Sequence, residues 1–155
     1  MGSFDDVRRA FRGTAPLAAD ADGRAADTEL KVATAVLLLE TAHGDAEYAR
    51  DEETTIRRAL EREFGLSRSQ ARDLLEKAHV SRPVKGDFSK SSGLVQERYS
   101  VEQRMRIMGL IWKVVYADGS VEASERKFAR YLARITGLTP DQAAMARARV
   151  ERGRI

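Results

Sequence analysis

Residues 116–143 have the sequence YADGSVEASERKFARYLARITGLTPDQA, and the second part of this stretch decides the fold class. Its apolar residues are spaced as on one face of a helix: Phe128, Tyr131, Leu132 and Ile135. Gly137 predicts the end of that helix, and Thr139-Pro140 with Gln142 predicts the start of the next one. The stretch therefore predicts a one-sided helix, a glycine stop and a capped helix.

The segment before this stretch predicts a helix that is apolar on most of its faces, as is typical of a helix inside a bundle. It opens with a capping box formed by Ser100 and Gln103. Its apolar residues are Met105, Met108, Ile111, Trp112, Val115 and Tyr116. No segment of the chain combines sustained period-two alternation with strand-favouring residues, so the sequence predicts an all-α fold.

The first half of the chain repeats this order of elements. Residues 27–43 again predict a helix that is apolar nearly all round, and residues 42–71, AHGDAEYARDEETTIRRALEREFGLSRSQA, align with 116–143 after a short slip. The matched positions are Asp45 with Asp118, Glu52 with Glu125, and Gly65-Leu66-Ser67 with Gly137-Leu138-Thr139. We predict a compact bundle of about seven to eight helices built from two pseudo-symmetric repeats, with their central helices packed together.

The chain of 155 residues is expected to form one domain. Its predicted parts are a short N-terminal helix and loop (1–26), a first repeat (27–79), a connection (80–99) and a second repeat (100–151). Within the first part, residues 3–12 place Phe4, Val7 and Phe11 at helical spacing for docking on the bundle. Within the connection, we expect a short helix near 94–99, because a long structureless loop is unusual in a compact domain.

Both repeats place acidic residues at the junction between the central helix and the one-sided helix. The candidate cation ligands are Asp118, Glu122 and Glu125 in the second repeat, and Asp45, Glu47 and Glu52 in the first. Carboxylates that converge from a turn and the next helix suit a hard divalent cation, calcium or magnesium rather than zinc. The order of an EF-hand loop is absent. Capping of helix N-termini by the same acids is the alternative interpretation.

The composition excludes several kinds of site. There is no cysteine, which excludes disulfides, thiolate metal sites and a cysteine nucleophile, and only two histidines are present. No nucleophile elbow, phosphate-binding loop or zincin motif occurs, so we expect a protein that is not an enzyme. No apolar run reaches the length of a membrane span, and charged residues come too early for a signal peptide, so a cytoplasmic location is expected.

Two further functions stay open at this point. The C-terminal segment MARARVERGRI (145–155) carries four arginines and one glutamate, and such a basic tail can contact nucleic-acid phosphates. An uneven distribution of acidic turns and a basic tail also suits a protein-interaction or scaffold module. The net charge of +3 does not by itself indicate a nucleic-acid partner.

The motifs ADGSVEASE (117–125) and GLTPDQ (137–142), placed after an apolar helix, resemble the TerB-like tellurite-resistance family. HGDAEYARDEE (43–53) resembles the family's other half, and the resemblance covers about 29–150. It implies an all-helical, non-enzymatic stress-response protein with a protein partner, in which Asp45, Glu52, Asp118 and Glu125 bind a metal ion. This chain has Ala46, Ala49 and Ser120 where the family has a glycine or an acid.

Overall fold

The protein, seen in a computed structural model, is an all-α bundle. The structure describes residues 17–43, 50–82, 89–116, 130–131 and 133–151. The helices with described ends are α1 (Thr28–His43), α2 (Arg50–Phe64), α3 (Arg68–Ser81), α4 (Ser89–Arg98), α5 (Val101–Tyr116) and α6 (Pro140–Glu151). Residues 130–131 and 133–135 are also helical. These ranges contain an isolated bridge between Ala19 and Ala25 but no strand, and the predicted all-α fold is confirmed.

Helix α1 lies at the centre of the bundle, in contact with α2, α3, α4 and α5. Its buried side chains are Leu30, Ala33, Thr34, Ala35, Val36, Leu37, Leu38 and Leu39. A helix buries consecutive residues only where neighbours cover every side, which is why its sequence is apolar nearly all round. The hydroxyl of Thr34 donates to the carbonyl of Leu30 at 3.0 Å, so this buried polar group is satisfied.

Helix α5 is the second core helix and packs against α1, α2 and α6. Its buried side chains are Gln103, Met105, Ile107, Met108, Leu110, Ile111, Trp112 and Val114. Full burial of a large aliphatic side chain stabilises the fold by roughly 1.5–3 kcal/mol, so the contact between α1 and α5 carries much of the core. The predicted packing of these two helices against each other is present.

Capping boxes begin α3, α5 and α6. The pairs are Ser67 with Gln70, Ser100 with Gln103, and Thr139 with Gln142. In each pair the glutamine side-chain oxygen accepts from the cap N–H at 2.9 Å. The cap hydroxyl accepts from the glutamine N–H at 3.1–3.2 Å. Two otherwise unpaired amides are thereby satisfied at each helix start.

Two glycines end helices in the same way. Gly65 and Gly137 have φ values of 62° and 74°, a region that side chains with a Cβ disfavour. The N–H of Leu66 donates to the carbonyl of Glu61 at 2.9 Å, and the N–H of Leu138 donates to that of Ala133 at 3.1 Å. Both are Schellman motifs. The pseudo-symmetry of the complete repeats stays a prediction, because 44–49 and 117–129 lie outside the described residues.

Residues 17–27 form a loop that is tied to the junction of α4 and α5. Leu17 is fully buried, and its carbonyl accepts from the hydroxyl of Tyr99 at 2.6 Å. The side-chain amide of Gln103 donates to the carbonyl of Ala19 at 2.6 Å. Burial raises the pKa of Tyr99, so its hydroxyl stays protonated and donates to Leu17. These bonds fix the point at which the chain enters the bundle.

Helix α4 begins at Ser89, five residues before the expected start at Leu94, and the expectation was too short. The residues SKSSG (89–93) are weak helix formers, so local propensity does not predict this turn. Tertiary bonds hold it instead: the hydroxyl of Ser92 donates to the carbonyl of Ile135, and the side-chain amide of Gln96 donates to the same carbonyl at 2.5 Å.

Candidate functional site

The acids predicted to bind a cation fall outside the described side chains. Asp45, Glu47, Asp118, Glu122 and Glu125 lie outside the described residues, and Glu52 is in the first turn of α2 with its side chain outside the description. Among the described residues, no group of three or more His, Asp or Glu side chains is placed to hold a metal ion. The cation site therefore stays a prediction.

The described helices fix where the two predicted acidic turns, which lie outside the described residues, are attached to the bundle. The first turn joins the end of α1 at His43 to the start of α2 at Arg50, and the second follows the end of α5 at Tyr116. Each turn thus leaves the C-terminus of a core helix, and α1 and α5 pack together. A helix C-terminus carries a partial negative charge of about half an elementary charge, which favours a nearby cation.

Glu40 lies in the last turns of α1, shortly before the first acidic turn in sequence. Its Oε1 lies 2.5 Å from Nε of Arg82, the residue that follows α3. Both side chains are partly buried, with 12% and 28% exposed. This ion pair ties the end of α1 to the end of α3, so Glu40 is already engaged by a guanidinium.

A buried carboxylate joins α2 to α5. Glu63 is 2% exposed, and its Oε1 and Oε2 accept from Nε and Nη2 of Arg106 at 2.5 and 2.8 Å. Nε of Arg62 lies 3.5 Å from the same carboxylate. Burial and the positive charge of Arg62 lower the pKa of Lys113, which lies beside this cluster. The cluster is a paired structural network whose carboxylate is bound on both oxygens.

Arg104 on α5 binds the end of the helical residues 133–135. Its Nη1 donates to the carbonyls of Thr136 at 2.8 Å and Gly137 at 3.1 Å. Together with the bonds from α4 to Ile135, these contacts satisfy the last carbonyls of that helix. The helix end at residues 135–137 is therefore held against α4 and α5.

Two grooves mark the described surface. The polar groove, of about 630 Å³, lies between α2 and α3, and the apolar groove, of about 850 Å³, lies between α1, α3 and α4. The polar groove is lined by Glu53, Thr54, Arg57, Arg68, Arg72, Leu75, Glu76 and His79. Arg68 and Arg72 lie four residues apart on one face of α3, and Arg57 comes from α2, where it pairs with Glu61.

The basic C-terminal helix is packed rather than free over the residues that the structure describes. The guanidinium of Arg147 stacks over the ring of Trp112, with 4.4 Å from Cζ to the ring centroid. Arg149 lies 3.3 Å from Glu102 of α5. Arg152 and Arg154 lie outside the described residues. The two described arginines that were candidates for phosphate contact thus have partners within the protein.

A family model, Tellurite resistance protein TerB, matches residues 31–148, which is more than half of the chain. This chain belongs to the TerB family. The matched range includes both acidic turns, most of α1 and all of α2 to α5. No curated protein and no solved structure matches this TerB-family chain. No described helix is long and apolar enough to cross a membrane.

The sequence interpretation missed both grooves of this TerB-family protein. One signal was available for the apolar groove: Val80 lies outside the buried stripe of α3, formed by Ala71, Leu74, Leu75 and Ala78. It is 87% exposed and lines the groove. For the polar groove, the signal was the spacing of Arg68, Arg72 and His79 on one face of α3.

Proposed function

We propose that this TerB-family protein is a non-enzymatic module that binds a divalent cation weakly through its two acidic turns. The observation that carries the proposal is the attachment of both turns to the C-termini of α1 and α5, core helices that pack against each other. The family match supports it, because residues 31–148 include both turns. Rigid helix ends lower the entropy cost of holding carboxylates around an ion.

The donor chemistry favours calcium or magnesium over zinc. Asp118, Glu122 and Glu125 offer carboxylate oxygens, the ligands of hard cations, and water or backbone carbonyls complete a shell of about six to eight oxygens for calcium. A protein zinc site ordinarily uses cysteine or histidine, and this chain has no cysteine and two histidines. Gly119 after Asp118 allows a tighter turn than Ala46 after Asp45, so the second turn binds more tightly.

Calorimetric titration with calcium, magnesium, manganese and zinc tests this proposal. Asp118→Asn combined with Glu125→Gln is expected to weaken calcium binding about a hundredfold or more, because two charge-assisted contacts of about 1.5–3 kcal/mol each are lost. Asp73→Asn combined with Glu97→Gln removes two exposed acids from α3 and α4 and serves as the matched control. If the variant with Asp118→Asn and Glu125→Gln binds calcium as tightly as the parent chain, the cation site is not at the second turn.

The first turn needs its own variant. Asp45→Asn combined with Glu52→Gln is expected to remove the weaker of two binding events and to leave the stronger one unchanged. If the titration shows a single cation-binding event and only the second-turn variant removes it, the first-turn acids act as helix caps instead. In that case a Glu52→Gln variant loses stability by the amount typical of a lost charge at a helix N-terminus, about 0.3–1 kcal/mol, without any change in ion binding.

A protein partner in a cytoplasmic stress response is the second proposed function. The polar groove favours it, since Arg68 and Arg72 form a basic stripe suited to an acidic partner surface. Cells challenged with tellurite provide the test: a partner recovered with the parent chain is expected to be lost with Arg68→Glu combined with Arg72→Glu. A partner set identical for both chains contradicts this interface. We propose nucleic acid as the weaker alternative, tested by salt-dependent oligonucleotide binding.

A further inference from the structure

Three cationic side chains lie near one buried carboxylate where α2 packs against α5. Glu63 of α2 accepts bonds from Arg106 of α5 on both oxygens, and Nε of Arg62 lies 3.5 Å from it. Lys113, in the last turn of α5, interacts electrostatically with all three of these charged groups. These four side chains form the Glu63 cluster. Three positive charges and one negative charge leave the cluster with an excess of positive charge, although buried charges are ordinarily paired.

Lys113 lies on the same face of α5 as Arg106. It follows Arg106 by seven residues and Leu110 by three, so the three side chains form one stripe along the helix. Leu110 is buried and Arg106 reaches Glu63, so this stripe is covered and its first turn contacts α2. Lys113 is half-buried at the end of the stripe, about 10 Å along the helix axis from Arg106. Its amine is therefore close to the cluster, and part of the side chain stays accessible.

The surroundings of Lys113 favour its neutral amine. Burial and the positive charges of Arg62 and Arg106 lower the pKa of Lys113, whereas the charge of Glu63 opposes this shift. Glu63 is already bonded on both oxygens, and within the part of the chain that the structure describes no acid forms an ion pair with Lys113. The neutral amine is the nucleophile in acylation, so such a lysine reacts at a pH at which ordinary exposed lysines are mostly ammonium.

We propose that Lys113 is a site of acylation by acyl phosphates, a modification that does not depend on cation binding. The excess positive charge attracts the phosphate group of the donor, and Arg62, whose side chain is 51% exposed, is accessible to bind its oxygens. The amine of Lys113 attacks the carbonyl carbon and forms a C–N bond. The C–O bond to phosphate breaks, its electron pair leaves with the phosphate, and the phosphate takes up the proton that the nitrogen releases. The amide product is uncharged, so acylation removes one positive charge from the cluster.

Incubation of the full chain with acetyl phosphate, followed over time by peptide mass spectrometry, tests the site. Lys113 is expected to be acetylated at least about threefold faster than Lys77 and Lys90, which are exposed lysines of α3 and α4. All three lysines belong to one molecule, so the donor concentration is the same for each of them. If Lys113 reacts no faster than Lys77 and Lys90, although it is less exposed than they are, the proposal is overturned.

Arg62→Gln tests the role of the cluster, and the variant should fold because the Arg62 side chain is 51% exposed. It is expected to slow the acetylation of Lys113 by acetyl phosphate about threefold or more, because the loss of one cation favours the ammonium and weakens the attraction of phosphate. Arg72→Gln, at an exposed arginine of α3, is the matched control and should leave the rate unchanged. With N-hydroxysuccinimide acetate, an uncharged donor, Arg62→Gln should have a smaller effect, since only the attraction of phosphate is then absent. Equal rates for the two variants, or equal effects with the two donors, overturn the proposal.

Discussion

Replacing Arg106 by methionine should be among the most costly single changes in the described core. The variant leaves Glu63, which is 2% exposed, without the two charge-assisted bonds that it accepts from Arg106. Removing one partner of a buried ion pair costs about 3–5 kcal/mol, because the remaining charge is buried without compensation. Arg62 lies 3.5 Å from the same carboxylate and retains a partial partner, so we expect about 3 kcal/mol.

Urea unfolding followed by circular dichroism measures this cost. A small domain is stable by about 5–15 kcal/mol, so the variant should unfold at a clearly lower urea concentration with an unchanged slope. Combining Arg106→Met with Glu63→Leu should recover most of the loss, since apolar replacement of a whole buried pair is nearly neutral. The reasoning is refuted if this double variant is no more stable than Arg106→Met alone.

An exposed ion pair offers the control. Glu102 and Arg149 lie 3.3 Å apart with 51% of the Glu102 side chain exposed, so Glu102→Gln should cost less than about 1 kcal/mol. If Arg106→Met costs no more than Glu102→Gln, burial does not determine the strength of the pair between α2 and α5.

Three further predictions follow from the described contacts. A Cβ at Gly137 would lie 2.6 Å from Nη1 of Arg104, whereas a Cβ at Gly65 would have free space. Gly137→Ala should therefore lower the free energy of unfolding by at least about 1 kcal/mol more than Gly65→Ala does, as measured by urea unfolding. The N–H of Arg24, opposed by burial, lowers the pKa of Asp20 below its usual 3.8. The stabilisation by the ionised carboxylate is therefore complete above pH 3.8 and is lost as the pH falls through the lowered pKa. Asp20→Asn should destabilise the protein at pH 7, and the difference from the parent chain should shrink as the pH falls below 3.8, in thermal unfolding. Trp112 is the only tryptophan, so Arg147→Ala should shift the protein's emission to the red by uncovering the ring, and an unchanged spectrum contradicts the stacking.

The features that were predictable from sequence are those with local causes. A capping box such as Ser100 with Gln103 joins residues three apart, and a glycine stop such as Gly65 acts within one turn, so both were found and both are confirmed. The apolar surface of α1 predicted its central place, because a helix with no polar face must be covered on all sides. The predicted order of the described helices along the chain is confirmed as well.

The features that were missed join residues far apart in sequence. The bonds of Glu63 to Arg106 and of Ser92 to Ile135 span 43 residues each, and no local pattern distinguishes these buried side chains from the exposed polar residues. The long-range bond of Ser92 also explains why α4 starts early, since tertiary contacts outweigh the weak helix propensity of SKSSG (89–93). The grooves between helices likewise depend on how the helices are placed relative to one another, and no local pattern in the sequence predicts that placement.

The described ion pairs narrow the choice of cation ligands. Arginines engage the acids at helix ends and interfaces: Glu40 with Arg82, Glu61 with Arg57, Glu63 with Arg106, and Asp20 and Asp27 with Arg98. A divalent ion that took one of these carboxylates would leave a guanidinium without its partner, at a cost of several kcal/mol where the pair is buried. The paired acids Glu40, Glu63 and Asp20 are therefore poor candidates for cation ligands.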